Sequence, residues 1–406
     1  MKPLRTLYIC YFGLREPLVQ TQVLPYLREL AAAGIEVYLL TFEPPLQSSW
    51  DPKTRAVVQS QLAAEGIKWS ALGYHKRPSL PATLYDIANG AFQIVRLVRR
   101  NRIDVVHARA HIPMAMALIA ARLTGSLLVF DIRGLMAEEY ADAGVWSAKS
   151  LKFRAIKALE RTGIKRANQI VVLTNAMREW LRESGLAAAE KIEVIPCCVD
   201  FTRYAGSENE ARVGADKFEV VYAGSVTGLY LLEEMAAFFL ALRAQEPRAF
   251  LRILTTSSRE AAVARLRSAG LAPDDFWVGG VNANEVPGYL RRASLGLSFR
   301  KRTFSQIAAS PTKIPEYLAA GLPVVSNAGI GDVDTLLESE RVGVVVNNFT
   351  AAEFERVATR ALQLAAEADM QTRSVAVARQ YFDVRTIGAN GYANVYRRIG
   401  EERDRA

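Results

Sequence analysis

Short apolar runs alternate with amphipathic stretches along most of the 406-residue chain. TLYICYF (6–12) reads as a strand, QTQVLPYLRELAAAG (20–34) as a helix ending at glycine, and EVYLLTF (36–42) as a second strand. A helix is expected near 82–100, then strand 104–108, helix 114–123, strand 127–133, helix 150–166, strand 169–174, helix 176–184 and strand 191–196. CCVDFTRYAGSENEARVGAD then breaks the pattern, with two glycines and no sustained apolar period, and predicts a linker near 200–216. The alternation restarts with strand 218–224, helix 230–243 and strand 249–256. Helix 259–269, strand 276–280, helix 285–292, strand 295–299, helix 311–320 and strand 323–327 follow, and 351–400 reads as two more helices.

Strand and helix in regular alternation call for parallel, helix-covered sheets: an α/β chain with two doubly wound, Rossmann-like domains. The length suits two domains, each able to bury its own core. Two such domains in tandem place function in a cleft outside the carboxyl ends of their strands.

Half the residues are hydrophobic and 23% are charged, which excludes disorder as the dominant state. The three cysteines, Cys10, Cys197 and Cys198, include an adjacent pair that makes no ordinary bridge, so a reducing, cytoplasmic compartment is expected. Neither they nor the three histidines show paired metal-ligand spacing, so no metal is expected. The first apolar run is followed by Arg15 and Glu16 and reads as a strand, not a signal peptide; Arg122 and Thr124-Gly125 interrupt the longest apolar stretch, 112–130, which is therefore not a membrane span.

Of the formal charge of +9, residues 1–200 carry +8 (26 Lys and Arg against 18 Asp and Glu). VRLVRRNR (95–102) and LKFRAIKALERTGIKRA (151–167) concentrate it. Each reads either as a solvated helix face or as a surface for anionic lipid or a phosphorylated acceptor. No nucleic-acid module accompanies the charge.

Three segments are candidates for chemistry. In SPTKIPEYLAAGLPVV (310–325), Ser310 is expected to cap a helix with Pro311 at its first position. The N–H groups of Thr312 and Lys313 would then face an anion, with Glu316 on the same edge to accept ribose hydroxyls. Read without a ligand, Ser310 is a cap and Lys313 with Glu316 a surface pair. In VVYAGSVTGLYLLEEM (220–235), Gly224, Ser225 and Gly228 form a strand-to-helix loop that lets backbone approach a phosphate. The equivalent N-terminal turn, YFGLREP (11–17), contains Gly13 but lacks GxGxxG, against a dinucleotide there. Thirdly, HARAHIP (107–113) and FDIRGLMAEEY (130–140) begin at strand carboxyl ends, which gathers His107, Arg109, His111, Asp131, Arg133, Glu138 and Glu139.

SPTKIPEYLAAGLPVV, GSVTGLYLLEEM, LRELAAAGIEVYLLTF, and VVLTNAMREWL with EVIPCCVD resemble, in order and spacing, the retaining glycosyltransferases of family 4, of GT-B fold. The resemblance implies a nucleotide-sugar donor bound by the C-terminal domain (217–384), and a glycan or lipid-linked acceptor bound by the N-terminal domain (1–200). It also implies that a last helix (385–406) crosses back to the N-terminal domain, and that no metal or other cofactor is required. Glu316 matches the second glutamate of the family's E-x7-E motif; the first is replaced by Ala308. The family's Arg and Lys after the first strand of the nucleotide domain are missing. Lys313, with Arg300, Lys301 and Arg302, is the expected substitute. Asp131 stands where the family has a histidine and is the candidate orienting or basic group, with Arg133 beside it. Such substitutions resemble a subgroup with S-P-x-K-x-x-E-Y that builds bacterial surface polysaccharides, which adds the inner face of the plasma membrane as an expected peripheral location. A nucleotide-sugar 2-epimerase and a non-catalytic sugar-nucleotide-binding subunit are the rival readings.

Overall fold

The computed structural model describes residues 3–44, 50–75, 77–204 and 216–405. Contacts divide the chain into two units, one of Met1–Ala137, Ser147–Pro196 and Val384–Ala406, the other of Glu138–Trp146 and Cys197–Asp383. Most of the linker expected at 200–216 lies outside the described residues.

The first unit is built on seven parallel strands: β1 (Arg5–Cys10), β2 (Glu36–Glu43), β3 (Ile67–Gly73), β4 (Val105–Arg109), β5 (Leu127–Asp131), β6 (Gln169–Val172) and β7 (Ile192–Val194). Their order is β3-β2-β1-β4-β5-β6-β7, so chain direction across the sheet reverses between β1 and β4. β4 and β5 are buried almost throughout, as continuous apolar runs in a helix-covered sheet must be. The helix Leu151–Arg166 starts where the Ser150 hydroxyl accepts from the Phe153 N–H at 3.2 Å, and Gly125, at φ 75°, closes the helix His111–Thr124 in the left-handed conformation. The helix Ala389–Arg403 belongs to this unit. Its Tyr396 hydroxyl bonds Thr6 Oγ1 at 2.8 Å on β1, and Asn168 donates to Glu402 at 2.6 Å.

The second unit holds six parallel strands: β8 (Phe218–Ala223), β9 (Ala249–Leu254), β10 (Phe276–Gly279), β11 (Leu295–Ser298), β12 (Val324–Asn327) and β13 (Gly343–Val346). Their order is β10-β9-β8-β11-β12-β13, with the reversal between β8 and β11. Both sheets are therefore doubly wound, as the alternation requires.

Four elements differ from expectation. β3 and β13 carry no place in the sequence reading, because IKWSALG alternates with Lys68 and Ser70 at a sheet edge and GVVV is only four residues long. The helix expected over 20–34 is two, Pro17–Gln22 and Leu24–Ala32, broken at Val23 just before Pro25. The helix expected at 311–320 spans only Lys313–Ala319.

Candidate functional site

In the second unit the carboxyl ends of β8 and β11 converge on two buried cations. Lys313 opens the helix 313–319 and is 5% exposed; its ammonium lies 4.2 Å from the ring centre of Tyr230 and 4.8 Å from that of Tyr222. Arg300, two residues past β11 and 9% exposed, donates from Nε to Gln306 Oε1 at 2.6 Å and from Nη1 to the Tyr230 hydroxyl at 3.1 Å. Its backbone N–H donates to Asn327 Oδ1 at 2.7 Å. Among the described residues neither cation has a carboxylate within ion-pairing distance. Burial lowers the Lys313 pKa, while Lys313 and then Arg300, against the effect of burial, pull the Tyr230 phenol down. Two such charges without a counter-ion are an unfinished arrangement that an anion completes.

Gly224 directly follows β8 and is exposed, at φ 139°. A Cβ there would stand 3.2 Å from the Lys313 ammonium, so glycine meets both the backbone conformation and the close approach. Tyr317 fixes the lysine's helix: its hydroxyl accepts from the Ala223 N–H at 2.8 Å and donates to the Leu297 carbonyl at 3.2 Å, tying the helix to the ends of β8 and β11. Ser225 Oγ lies 3.1 Å from Thr227 Oγ1, within the glycine loop.

The expected cap is not found. Thr312 is the residue before the helix, its side chain makes no capping bond, and the Ser310 hydroxyl instead accepts from the Cys197 N–H at 3.1 Å. Pro311 therefore lies outside the helix. Glu316 is 17% exposed at its side chain and pairs with Arg203 at 3.3 Å; burial raises its pKa, opposed by Arg203 and Lys313. Ala308 is fully buried in the short helix Phe304–Ala308. Lys301 donates to the Asp142 carbonyl at 3.3 Å and Arg302 is exposed beside Gly329, so neither joins the cation pair. Sequence reasoning missed Tyr230, Gln306, Asn327 and Arg203; the aromatic just past the glycine loop was a usable signal for Tyr230 alone.

Of the N-terminal candidates, His107, Arg109, Asp131 and Arg133 stay together, and the others lie apart. Asp131 is fully buried, accepting from the hydroxyls of Tyr392 at 3.0 Å and Tyr8 at 3.3 Å and from Arg133 Nη1 at 3.4 Å, with His107 Nε2 at 3.7 Å. Burial alone would push its carboxyl up, but Arg133, His107 and Arg109 outweigh it and hold the group below the usual carboxylate range. A carboxylate so held is a poor base, and orienting is the part of the expectation its geometry suits. His107 is buried, with its pKa lowered by burial, and its Nδ1 lies 2.9 Å from the Tyr396 hydroxyl; Arg109 is buried beside them. His111 is separate: its Nε2 lies 3.0 Å from Glu160 in the interior, and Glu160 also bonds Lys157. Gly13 is packed against Glu43 and Pro44, where a Cβ would meet atoms at 2.8 and 2.9 Å. Glu138 and Glu139 fall in the second unit, not the first; Lys301 bonds the Asp142 carbonyl of the same segment, and the charge of Glu139 partly opposes the lowering of the Tyr230 phenol. No group of three or more His, Cys, Asp or Glu suited to a metal ion occurs among the described residues.

Residues 19–198 match the profile of the family described as a Glycosyl transferase 4-like domain. No curated protein sequence matches the chain. Among solved structures, a sucrose-phosphate synthase from Thermosynechococcus elongatus superposes with a TM-score of 0.69 at 17% identity, covering 98% of this chain and 100% of that one. HepE of Anabaena, solved with UDP and glucose, gives 0.65 at 16% identity over 97% and 99% of the chains. A structure described as a putative UDP-N-acetylglucosamine 2-epimerase from Listeria monocytogenes gives 0.63 at 12% over 99% and 98%. The chain has a glycosyltransferase-like fold of the GT-B class over nearly its whole length, and over 19–198 its sequence also carries the likeness.

Proposed function

We propose that the chain is a retaining glycosyltransferase that moves a sugar from a nucleoside diphosphate sugar to a hydroxyl of a glycan or lipid-linked acceptor, in bacterial surface polysaccharide synthesis. The observation that carries this reading is the pair of buried, uncompensated cations, Lys313 and Arg300, beside an exposed glycine where the strand order of the second sheet reverses. A diphosphate supplies the missing negative charge, and Glu316 stands one helical turn from Lys313 to accept ribose hydroxyls. HepE, similar in fold, was solved with UDP and glucose, which favours a UDP-sugar as donor.

In the reaction the bond between the anomeric carbon and the diphosphate oxygen breaks, and that carbon forms a bond to the acceptor oxygen on the same face. The acceptor's proton passes to the departing phosphate, whose charge Lys313, Arg300 and the Gly224 loop stabilise in a site already ordered for it. All of this charge stabilisation comes from side chains and backbone of the chain itself. Asp131 acts only through the groups it orients, Tyr8, Tyr392 and Arg133.

The epimerase reading draws on the fold shared with the Listeria structure and needs the donor alone. Incubation with a panel of UDP-sugars, with and without bacterial lipid extract, separates the two. Acceptor-dependent release of UDP supports the transferase, an isomeric UDP-sugar supports the epimerase, and binding without turnover in either mixture overturns both in favour of a non-catalytic subunit.

A further inference from the structure

His75 follows β3 by two residues, and its side chain is 48% exposed, yet its ring is held in one orientation. Nδ1 lies 2.6 Å from Oδ1 of Asp86, and the His75 backbone N–H donates to Oδ2 at 3.0 Å. The Tyr11 hydroxyl donates to the same Oδ2 at 2.6 Å. Asp86, on the helix Ser79–Asn101, is fully buried. Three contacts thus fix the carboxylate, and the carboxylate fixes the imidazole. An ionised carboxylate only accepts, which places a ring proton on Nδ1 and leaves Nε2 as the nitrogen that can meet a ligand.

Tyr85 stands edge-on to this imidazole, centroids 5.0 Å apart at 90°, and is 58% exposed. Tyr74 and Tyr11 meet at 5.2 Å behind it. Tyr11 continues β1 and His75 follows β3, so the group sits at the carboxyl edge of β3-β2-β1, on one side of the reversal between β1 and β4. A half-exposed ring needs no buried carboxylate merely to pack, since water satisfies both of its nitrogens. A ring that must present one nitrogen to a ligand does need it.

We propose that His75 and Tyr85 form a pyranose-binding subsite in the first unit, with Nε2 hydrogen-bonded to a sugar hydroxyl and the Tyr85 face carrying the apolar C–H face of the ring. Only the assignment of this sugar to the acceptor rests on the glycosyltransferase reading; the binding itself does not.

The test uses the full chain with labelled histidine. Methyl α-D-glucopyranoside, methyl α-D-mannopyranoside and methyl N-acetyl-β-D-glucosaminide are titrated while the His75 ring resonances are followed, distinguishable because His107 and His111 are buried. At least one glycoside should shift the His75 signals saturably. Affinity by ligand-observed NMR should fall about tenfold in His75→Ala and in Tyr85→Ala, while the melting temperature and UDP binding stay as in the wild type. No saturable shift with any of the three, or unchanged affinity in both variants, overturns the proposal. Asp86→Asn, a buried change, is read only beside these variants: weakened glycoside binding in a folded protein supports the orienting role. Failure of the wild type to bind UDP would overturn the donor reading and leave the subsite to be judged by the glycosides.

Discussion

Arg203 Nη1 lies 3.3 Å from Oε1 of Glu316, while Nη2 of the same guanidinium donates to the Ala283 carbonyl at 2.6 Å. The carboxylate expected to hold a ribose is thus already ion-paired, and the arginine that pairs it also grips the loop at Ala283. One side chain thus ties the helix 313–319 to the backbone at Ala283.

Glu316→Ala should raise the donor KM by about tenfold or more, since the residue acts in binding at a partly open site. Its melting temperature should fall by no more than about 2–4 °C, because no core cavity is made and the freed Arg203 remains 22% exposed. Arg203→Ala should raise KM as well, by loosening both the carboxylate and the loop. Steady-state kinetics with thermal melts check this; a large melting drop with unchanged donor affinity would make Glu316 structural.

Lys313→Ala should weaken nucleoside diphosphate binding by one to two powers of ten, about 1.5–3 kcal/mol, and leave binding of the bare nucleoside nearly unchanged. Because burial lowers the lysine's pKa in the folded chain, its charge is lost on the alkaline side before that of an exposed lysine. Diphosphate affinity should therefore decline below the ordinary lysine value of 10.5. The unfolded chain holds that proton over the same window, so native stability contributed by this group rises with pH there. Lys313→Met, which removes the buried charge, should abolish that rise and weaken diphosphate binding as the alanine variant does. Calorimetric titration and melts between neutral and alkaline pH check both signs.

Asp131→Asn should lower the melting temperature at neutral pH, in keeping with the roughly 3–5 kcal/mol expected when one partner of a buried charge cluster is removed. Its folded pKa lies below the ordinary value of 3.8, so in the wild type its stabilisation is complete above that value and is lost as pH falls through the folded pKa. His107 acts earlier: its folded pKa lies below 6.5, so under that pH the unfolded chain takes up a proton that the native chain refuses, and stability drops. Melting of the wild type should thus decline in two stages on acidification, and the variant should lack the more acidic one.

The two sheets were legible because alternating strand and helix periods are local, and eleven strands announce themselves as apolar runs long enough to see. Lys313 and Glu316 were legible because their helix carries a proline, a lysine and a glutamate in close spacing. Arg300 was only a guess among three neighbouring cations, since nothing local distinguishes a buried arginine from the exposed Arg302 two residues on. Arg203 and Asn327 reach the site from distant parts of the chain, and the orienting of His75 depends on Asp86, eleven residues away on another element. Such tertiary hydrogen bonds leave no periodic trace. The polar residues at the ends of β4 and β5 were visible as a cluster, but not that His111 would turn to Glu160 while Asp131 joined two tyrosines.

The basic first unit should bind anionic vesicles, and the structure narrows which residues do so. Among the described residues no helix is long and apolar enough to cross a membrane. The helix 79–101 exposes Leu80, Leu84 and Phe92 with Arg96, Arg99 and Arg100 toward its end, and Ile119 and Leu123 are exposed on the neighbouring helix 111–124, which Arg99 bonds at the Leu123 carbonyl at 3.2 Å. Apolar side chains beside arginines suit an anionic interface better than water. On the helix 151–166, Lys152, Arg154, Lys165 and Arg166 are exposed, whereas Lys157 is engaged by Glu160 and drops out. At about 1 kcal/mol per basic residue near the surface, three or four of them give reversible, salt-sensitive attachment. Sedimentation should show binding to anionic but not neutral liposomes, release at high salt, and loss in the triple variant Arg96→Gln, Arg99→Gln, Arg100→Gln and in Phe92→Ser. If the triple variant binds as the wild type while neutralising Lys152, Arg154, Lys165 and Arg166 abolishes binding, the second helix is the contact. A protein that stays in the supernatant at low salt has no lipid-binding face and points to an acceptor in solution.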